Sequence, residues 1–288
     1  MTEQPWTAAP NIKRALVLSG GGYAGEAWML GLIHALRDQG INLGEADLIV
    51  GTSAGARVGV HVASASLDGA VRRYRSAPLA IVEPSASLQD FVAASLQIAS
   101  EAADQQEAAR RIANLPPLGP TLASQADRTR TIGALVPMRK WPERPLDIVA
   151  VDAATGARTV FDADWGVDLL DAVLASGALP GVYPLVTIGD HRYADGGAHS
   201  LFNADLAAGH DVVVVITPAP LNPYLTRLLD TEMSQLGDAH IQLIAPNEAS
   251  VGAIGSNPLS AKTSLAAIEA GANQALLEAN ALSASWLG

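Results

Sequence analysis

Asp47-Leu-Ile-Val-Gly-Thr-Ser-Ala-Gly-Ala56 reads as a short apolar strand, a sharp turn, and a run of small residues with helical character. Gly51 and Gly55 flank Ser53 in a G-x-S-x-G pattern, and each removes a side chain that would collide when the residue between them is held in a strained turn. The pattern predicts a nucleophile elbow, with the Ser53 hydroxyl standing exposed above a sheet. A serine hydroxyl is a weak nucleophile, so the rest of the chain has to supply a base and donors for an oxyanion.

Upstream, Ala15-Leu-Val-Leu18 ends in Ser19-Gly20-Gly21-Gly22, and Trp28, Leu32, Ile33 and Leu36 then recur at helical spacing to a stop at Gly40. Two successive strand-turn-helix units predict a parallel α/β sheet. From about 71 to 140 the alternation stops. Leu88, Phe91, Val92, Leu96 and Ala99 share a helical face, a long helix is expected to continue to Ile112, and Pro116, Pro117 and Pro120 then break the chain. The expectation is one domain over 1–288 with a mostly helical insertion at about 71–140. The insertion's apolar stripe reads either as a lid or acyl-chain wall, or as a face packed on the sheet. Strand signals resume at Asp147–Val151 and Arg158–Phe161, joined by a turn at Thr155-Gly156. A helix near Val167–Ser176 and strands at Leu185–Ile188 and Arg192–Ala194 follow, then a short helix near Asp205. The apolar run Val212–Ile216 fits a strand covered on both faces. A helix near Tyr224–Leu236, a strand at Ile241–Ile244 and an Ala-rich helix over Lys262–Leu282 complete the chain.

At 288 residues, 49% of them hydrophobic and 16% charged, the chain has the composition of a globular α/β protein. A net charge of -11 argues against nucleic acid as a partner, because that affinity comes from neutralising phosphates with Lys and Arg. Arg72, Arg73 and Arg75 form a local basic cluster that reads either as a peripheral membrane contact or as a solvated helix face. With no cysteine, thiol catalysis and Cys-ligated zinc are excluded. Met1–Arg14 lacks the basic start and apolar stretch of a signal peptide, and no run approaches the length of a membrane span. The expected location is the cytoplasm, with peripheral membrane association left open.

Gly20-Gly-Gly-Tyr-Ala-Gly25 satisfies G-x-G-x-x-G between a strand and a helix, so a dinucleotide-binding oxidoreductase is one reading, with Glu45 or Asp47 as the ribose acid. The other is an oxyanion turn, whose N–H groups at a helix N-terminus stabilise the charge formed when an acyl carbonyl is attacked. The elbow on the very next strand favours the second, since hydride transfer has no need of it. For the base, His34 and His61 of the six histidines fall within helices, and His199, His210 and His240, the ones an α/β-hydrolase chain order would leave, stand in no recognisable catalytic loop. Asp195 closes the strand His191-Arg-Tyr-Ala and is followed by Gly196-Gly197, which lets a substrate or backbone approach. Asp-Gly-Gly also reads as a plain turn. A carboxylate serving as base would need a pKa raised by desolvation.

Together these residues resemble the patatin-like phospholipases, a family of serine acyl hydrolases with a Ser–Asp dyad. Gly20–Gly25 is similar to the family's oxyanion motif, Gly51-Thr-Ser-Ala-Gly55 to its nucleophile motif, and Asp195-Gly-Gly197 to its aspartate motif, in the family's order. Ala175-Ser-Gly-Ala-Leu-Pro-Gly-Val-Tyr-Pro184 is similar to the stretch that precedes the aspartate. The resemblance implies a three-layer α/β/α fold with a mostly parallel central sheet. It implies a lipid acyl hydrolase, phospholipase or esterase, that cleaves carboxylic esters of lipid or other acyl substrates through Ser53, Asp195 and an acyl-enzyme. The oxyanion hole it implies comprises Gly20, Gly21, Gly22 and Ala54, with no metal or cofactor. One position departs: the family's basic residue before the last glycine of the first motif is Ala24 here. Arg57 and Arg14 are candidate substitutes, and a catalytically weak lipid-binding scaffold is the alternative that this departure raises.

Overall fold

In the computed structural model, residues 12–76, 81, 86, 88–119 and 124–287 are described. The chain runs β1 (Arg14–Leu18), α1 (Gly22–Asp38), β2 (Leu48–Thr52), α2 (Ala54–Ala63) and α3 (Leu67–Ser76). The helices α4 (Leu88–Glu101), α5 (Gln105–Ala113) and α6 (Gln125–Leu135) follow, then β3 (Leu146–Asp152), β4 (Arg158–Phe161), α7 (Leu169–Ser176), β5 (Val186–Ile188) and β6 (His191–Asp195). The last part comprises β7 (Val212–Ile216), α8 (Pro223–Met233), β8 (His240–Ile244), α9 (Glu248–Ile254) and α10 (Ser264–Trp286).

One mixed sheet of 8 strands has the order β5-β6-β3-β2-β1-β7-β8, with β4 on β3. The pairings from β3 through β2, β1 and β7 to β8 are parallel, and those that involve β4, β5 and β6 are antiparallel. Alternation along each strand builds the layers. Leu16 and Leu18 of β1 face a core shared with α1, α2, α7 and α10, whereas Ala15 and Val17 face Phe202, Ala207 and Leu229 of α8. β7 is buried along its whole length between β1 and β8, as its unbroken valine run predicts.

Two expectations for the insertion need correction. The helix beginning at Leu88 does not continue to Ile112: it ends at Glu101, and α5 restarts where the Asp104 carboxylate accepts the Glu107 N–H as an N-cap. The apolar stripe of α4 is not a sheet face either. Phe91 is buried against Ala109 and Ile112 of α5, while Val92 and Leu96 stay exposed. Pro120 and most of Met1–Arg14 lie outside the described residues. Helix α9 was not expected, since seven residues give too short a periodicity to read. Among the described residues no helix is long and apolar enough to cross a membrane.

Candidate active site

Parallel pairing of β1 with β2 puts the two turns that follow them side by side. Leu18 pairs with Gly51, so Gly20 and Ser53 each stand two residues beyond that level, and a Cβ at Gly20 would lie 3.6 Å from that of Ser53. Ser53 has φ 55° and ψ -112°, a left-handed conformation that costs a β-carbon residue about 1–3 kcal/mol and has to be held by its surroundings. Close packing holds it. A Cβ at Gly55 would sit 2.0 Å from the Leu18 carbonyl oxygen and one at Gly51 2.6 Å from Ala56 Cα, while the Ser53 N–H donates to Ser176 Oγ at 2.8 Å.

Asp195 arrives by a different route. Ala150 of β3 pairs with Thr159 of β4 and with Asp195, and Val149 pairs with Val160 of β4 and with Thr52. A residue has one pairing edge on each side, so β2 and β6 share the same edge of β3 and meet end to end. Thr52 and Asp195 face consecutive residues of β3, and Ser53 is thereby delivered to the carboxylate. Gly196 has to be glycine, because its Cβ would press to 2.5 Å from the Val149 carbonyl oxygen.

The Ser53 hydroxyl stands close enough to Asp195 to favour its ionised form, and the carboxylate Oδ1 accepts the Gly197 N–H at 2.8 Å. Burial pushes the Asp195 carboxyl up to about 6, against the opposing pull of the Ser53 hydroxyl, the Gly197 N–H and the positive charges of Arg57 and Arg128. A carboxylate poised there is ionised at neutral pH, yet basic enough to share a proton.

The glycine turn is only partly as expected. The Gly20 N–H donates to the Leu201 carbonyl at 3.1 Å, which removes it from the oxyanion donors. Among the described residues, the N–H groups of Gly21, Gly22 and Ala54 make no hydrogen bond and lie at the starts of α1 and α2, where helix N–H groups lack internal partners. Pro218 and Pro258 press on this turn: a Cβ at Gly21 would reach 2.1 Å from Pro218, one at Gly25 2.7 Å from Pro218, and one at Gly22 2.4 Å from the Pro258 carbonyl oxygen. The dinucleotide reading fails on position. Asp47 and Glu45 precede β2, Asp47 accepts the Arg14 N–H at 2.7 Å, and both acids sit at the end of the strands opposite to the glycine turn. Five strand residues, about 16 Å, separate them from where a ribose would lie.

The two substitutes considered for the missing cation separate as well. Arg14 donates to the Trp286 carbonyl at the far end of β1, whereas Arg57 lines the cleft beside Ser53, ion-paired to buried Glu26. Sequence reasoning missed Arg128 of α6, which lines the same cleft and donates to the Gly177 carbonyl and the Tyr23 hydroxyl. Only its place on the buried Ile132 and Leu135 face of α6 marks it. Tyr23, Leu179, Tyr183 and Leu259 close the rest of the cleft to about 20 Å³, room for about one water molecule.

The site thus joins a strained serine between a strand and a helix, a buried aspartate whose carboxyl is pushed up, and unpaired N–H groups at the starts of α1 and α2, on an α/β/α fold. The chain belongs to the patatin-like phospholipase family, whose sequence model matches residues 16–208. Among solved structures it is similar to VipD from Legionella pneumophila, with 15% identity and a TM-score of 0.44, covering 95% of this chain and 67% of that one. It is also similar to the type III effector protein ExoU, with 14% identity and a TM-score of 0.41, covering 94% of this chain and 54% of that one, about half its length. No curated protein matches the sequence.

Proposed function

We propose that the protein is a lipid acyl hydrolase, phospholipase or esterase, that cleaves carboxylic esters through a Ser53–Asp195 dyad and an acyl-enzyme. The observation that carries this reading is the register that brings Ser53 beside Asp195, a buried carboxyl pushed up to about 6. Family membership supports the lipid substrate. Substrate entry parts the wall formed by Leu179, Tyr183 and Leu259. Ser53 Oγ attacks the ester carbonyl as Asp195 takes its proton, and the N–H groups of Gly21, Gly22 and Ala54 receive the oxyanion. Collapse expels the alcohol, which leaves with the proton from Asp195, and the acyl group stays on Ser53. Asp195 then draws a proton from water, whose oxygen attacks the acyl-enzyme, and returns it to Ser53 Oγ as the fatty acid departs. The strain at Ser53 and the desolvation of Asp195 are paid for in folding, before any substrate binds.

Ser53→Ala and Asp195→Asn should each lower kcat/KM for a short-chain p-nitrophenyl ester by about 10³-fold or more, with the fold kept by circular dichroism. Retained hydrolysis in either variant sinks the dyad. A fluorophosphonate should label Ser53 in the wild type and leave Ser53→Ala unlabelled.

A further inference from the structure

Two guanidinium groups line the cleft beside Ser53, and their charges are balanced differently. Arg57 is held by Glu26. Arg128, 5% exposed, makes no contact ion pair among the described residues: its two hydrogen bonds go to neutral oxygens, Tyr23 Oη at 3.2 Å and the Gly177 carbonyl at 2.6 Å. A buried cation without a contacting anion is costly, and a guanidinium has five N–H donors to place. Its Cζ lies 3.7 Å from the ring centroid of Tyr183, and the Tyr183 hydroxyl, also buried on this cleft, makes no hydrogen bond. The unspent polar groups on this wall are therefore donors around one positive charge, a setting that suits an anion with several acceptor oxygens.

We propose that Arg128 and the Tyr183 hydroxyl form an anion subsite that takes the phosphate of a phospholipid whose acyl carbonyl lies against Ser53. The proposal rests on the acyl-hydrolase reading of Ser53. It makes Arg128 a specificity-determining residue, carried into the site by the helical insertion rather than by the glycine turn, where Ala24 is buried and its N–H is spent on the Pro258 carbonyl. Guanidinium suits this task better than an ammonium group, because its planar fork meets two phosphate oxygens at once while the ring of Tyr183 fixes its orientation. The oxyanion of the reaction is served separately, by the N–H groups at the starts of α1 and α2.

The test is calorimetric binding of sn-glycerol 3-phosphate, with glycerol and inorganic phosphate as comparison ligands, to the intact chain and four variants. Glycerol 3-phosphate should bind and glycerol should not. Arg128→Gln should weaken that binding about tenfold to a hundredfold, and Tyr183→Phe by a smaller factor. Arg128→Lys should restore part of it. Arg130→Gln, on the same helix but exposed and paired with Asp127, should leave it unchanged. If Arg128→Gln fails to fold, Arg128→Lys and Tyr183→Phe still decide. Equal binding of glycerol, no loss in the Arg128 and Tyr183 variants, or binding of inorganic phosphate without glycerol 3-phosphate would each overturn the proposal. In a second arm, the ratio of kcat/KM for a lysophospholipid to that for a monoacylglycerol of the same chain should fall by at least about tenfold in Arg128→Gln. An unchanged ratio counts against the subsite. Hydrolysis surviving in Ser53→Ala would instead defeat the acyl-hydrolase reading, and the binding arm would still judge Arg128.

Discussion

Burial acts on two titratable groups with opposite consequences. Asp195 is pushed up to about 6, above the ordinary carboxylate value, so the fold favours its protonated form. Stability from this group is complete below the ordinary value and is lost as pH rises through about 6, while the proposed dyad requires the ionised form. We expect kcat/KM to have an acid limb with a midpoint near about 6. Asp195→Asn should melt higher than the wild type at pH ~8, by the equivalent of about 2–3 kcal/mol, with the difference gone near pH ~4. Thermal melts at both pH values check it. His61, buried in α2, is pushed down to about 4 by burial; its Nε2–H donates to the Leu135 carbonyl at 3.0 Å. Here stability is complete above the ordinary histidine value and falls as pH drops toward about 4, because the unfolded chain binds a proton that the fold refuses. His61→Gln should flatten the fall in urea midpoint between pH ~6.5 and ~4.

At the scale of elements, several glycines are fixed by contact rather than by conformation. Gly55 must let α2 approach the end of β1, and Gly196 must let the turn after β6 close on β3. A methyl group at Gly55 has only backbone to meet, so Gly55→Ala should destabilise by about 2–4 kcal/mol in denaturant melts, and the elbow should lose its geometry with it. Gly69, near the start of α3, has open space and an ordinary φ, so Gly69→Ala should stabilise by about 0.5–1 kcal/mol. The G-x-S-x-G pattern sets Gly51 and Gly55 apart from Gly69, but not the atoms that each would meet. The difference lies in which backbone happens to stand opposite. The insertion divides in the same way: its helical periodicity and the Asp104–Glu107 cap that restarts α5 are local, whereas the burial of Ala109 and Ile112 in one cluster with Val151 and Ala194 of the sheet depends on partners distant in sequence.

At the scale of the molecule, the C-terminal third is part of the scaffold that carries the site. β7 and β8 extend the sheet beyond β1, and α10 covers it through a crossing with α1 so close that a Cβ at Gly31 would lie 2.0 Å from the Ile268 carbonyl oxygen. A Cβ at Gly271 would lie 2.1 Å from the carbonyl oxygen of Trp28, making the crossing reciprocal, and Trp286 is buried with its indole N–H on the Asn42 carbonyl. The family match ends at residue 208, before any of these elements. A fragment of residues 1–208 lacks β7, which covers one edge of β1, and should fail to give a cooperative melt. Gly271→Leu in the full chain should lower the melting temperature by about 5 °C or more through separation of the two helices.

Local chemistry written along the chain determined the strand-turn-helix units, the buried valine strand and the identity of Ser53, Asp195 and the glycine turn as candidates. Those features depend on period, on small residues and on turn chemistry, all of which act between neighbours. Tertiary structure alone decided that β2 and β6 meet on one edge of β3, which sets Asp195 against Ser53. It also decided that the Gly20 N–H is consumed by Leu201 and that Arg128 enters the cleft from a helix far away in sequence. Each of these is a register or a contact between distant segments, and its free energy exists only once the whole sheet and its covering helices have assembled.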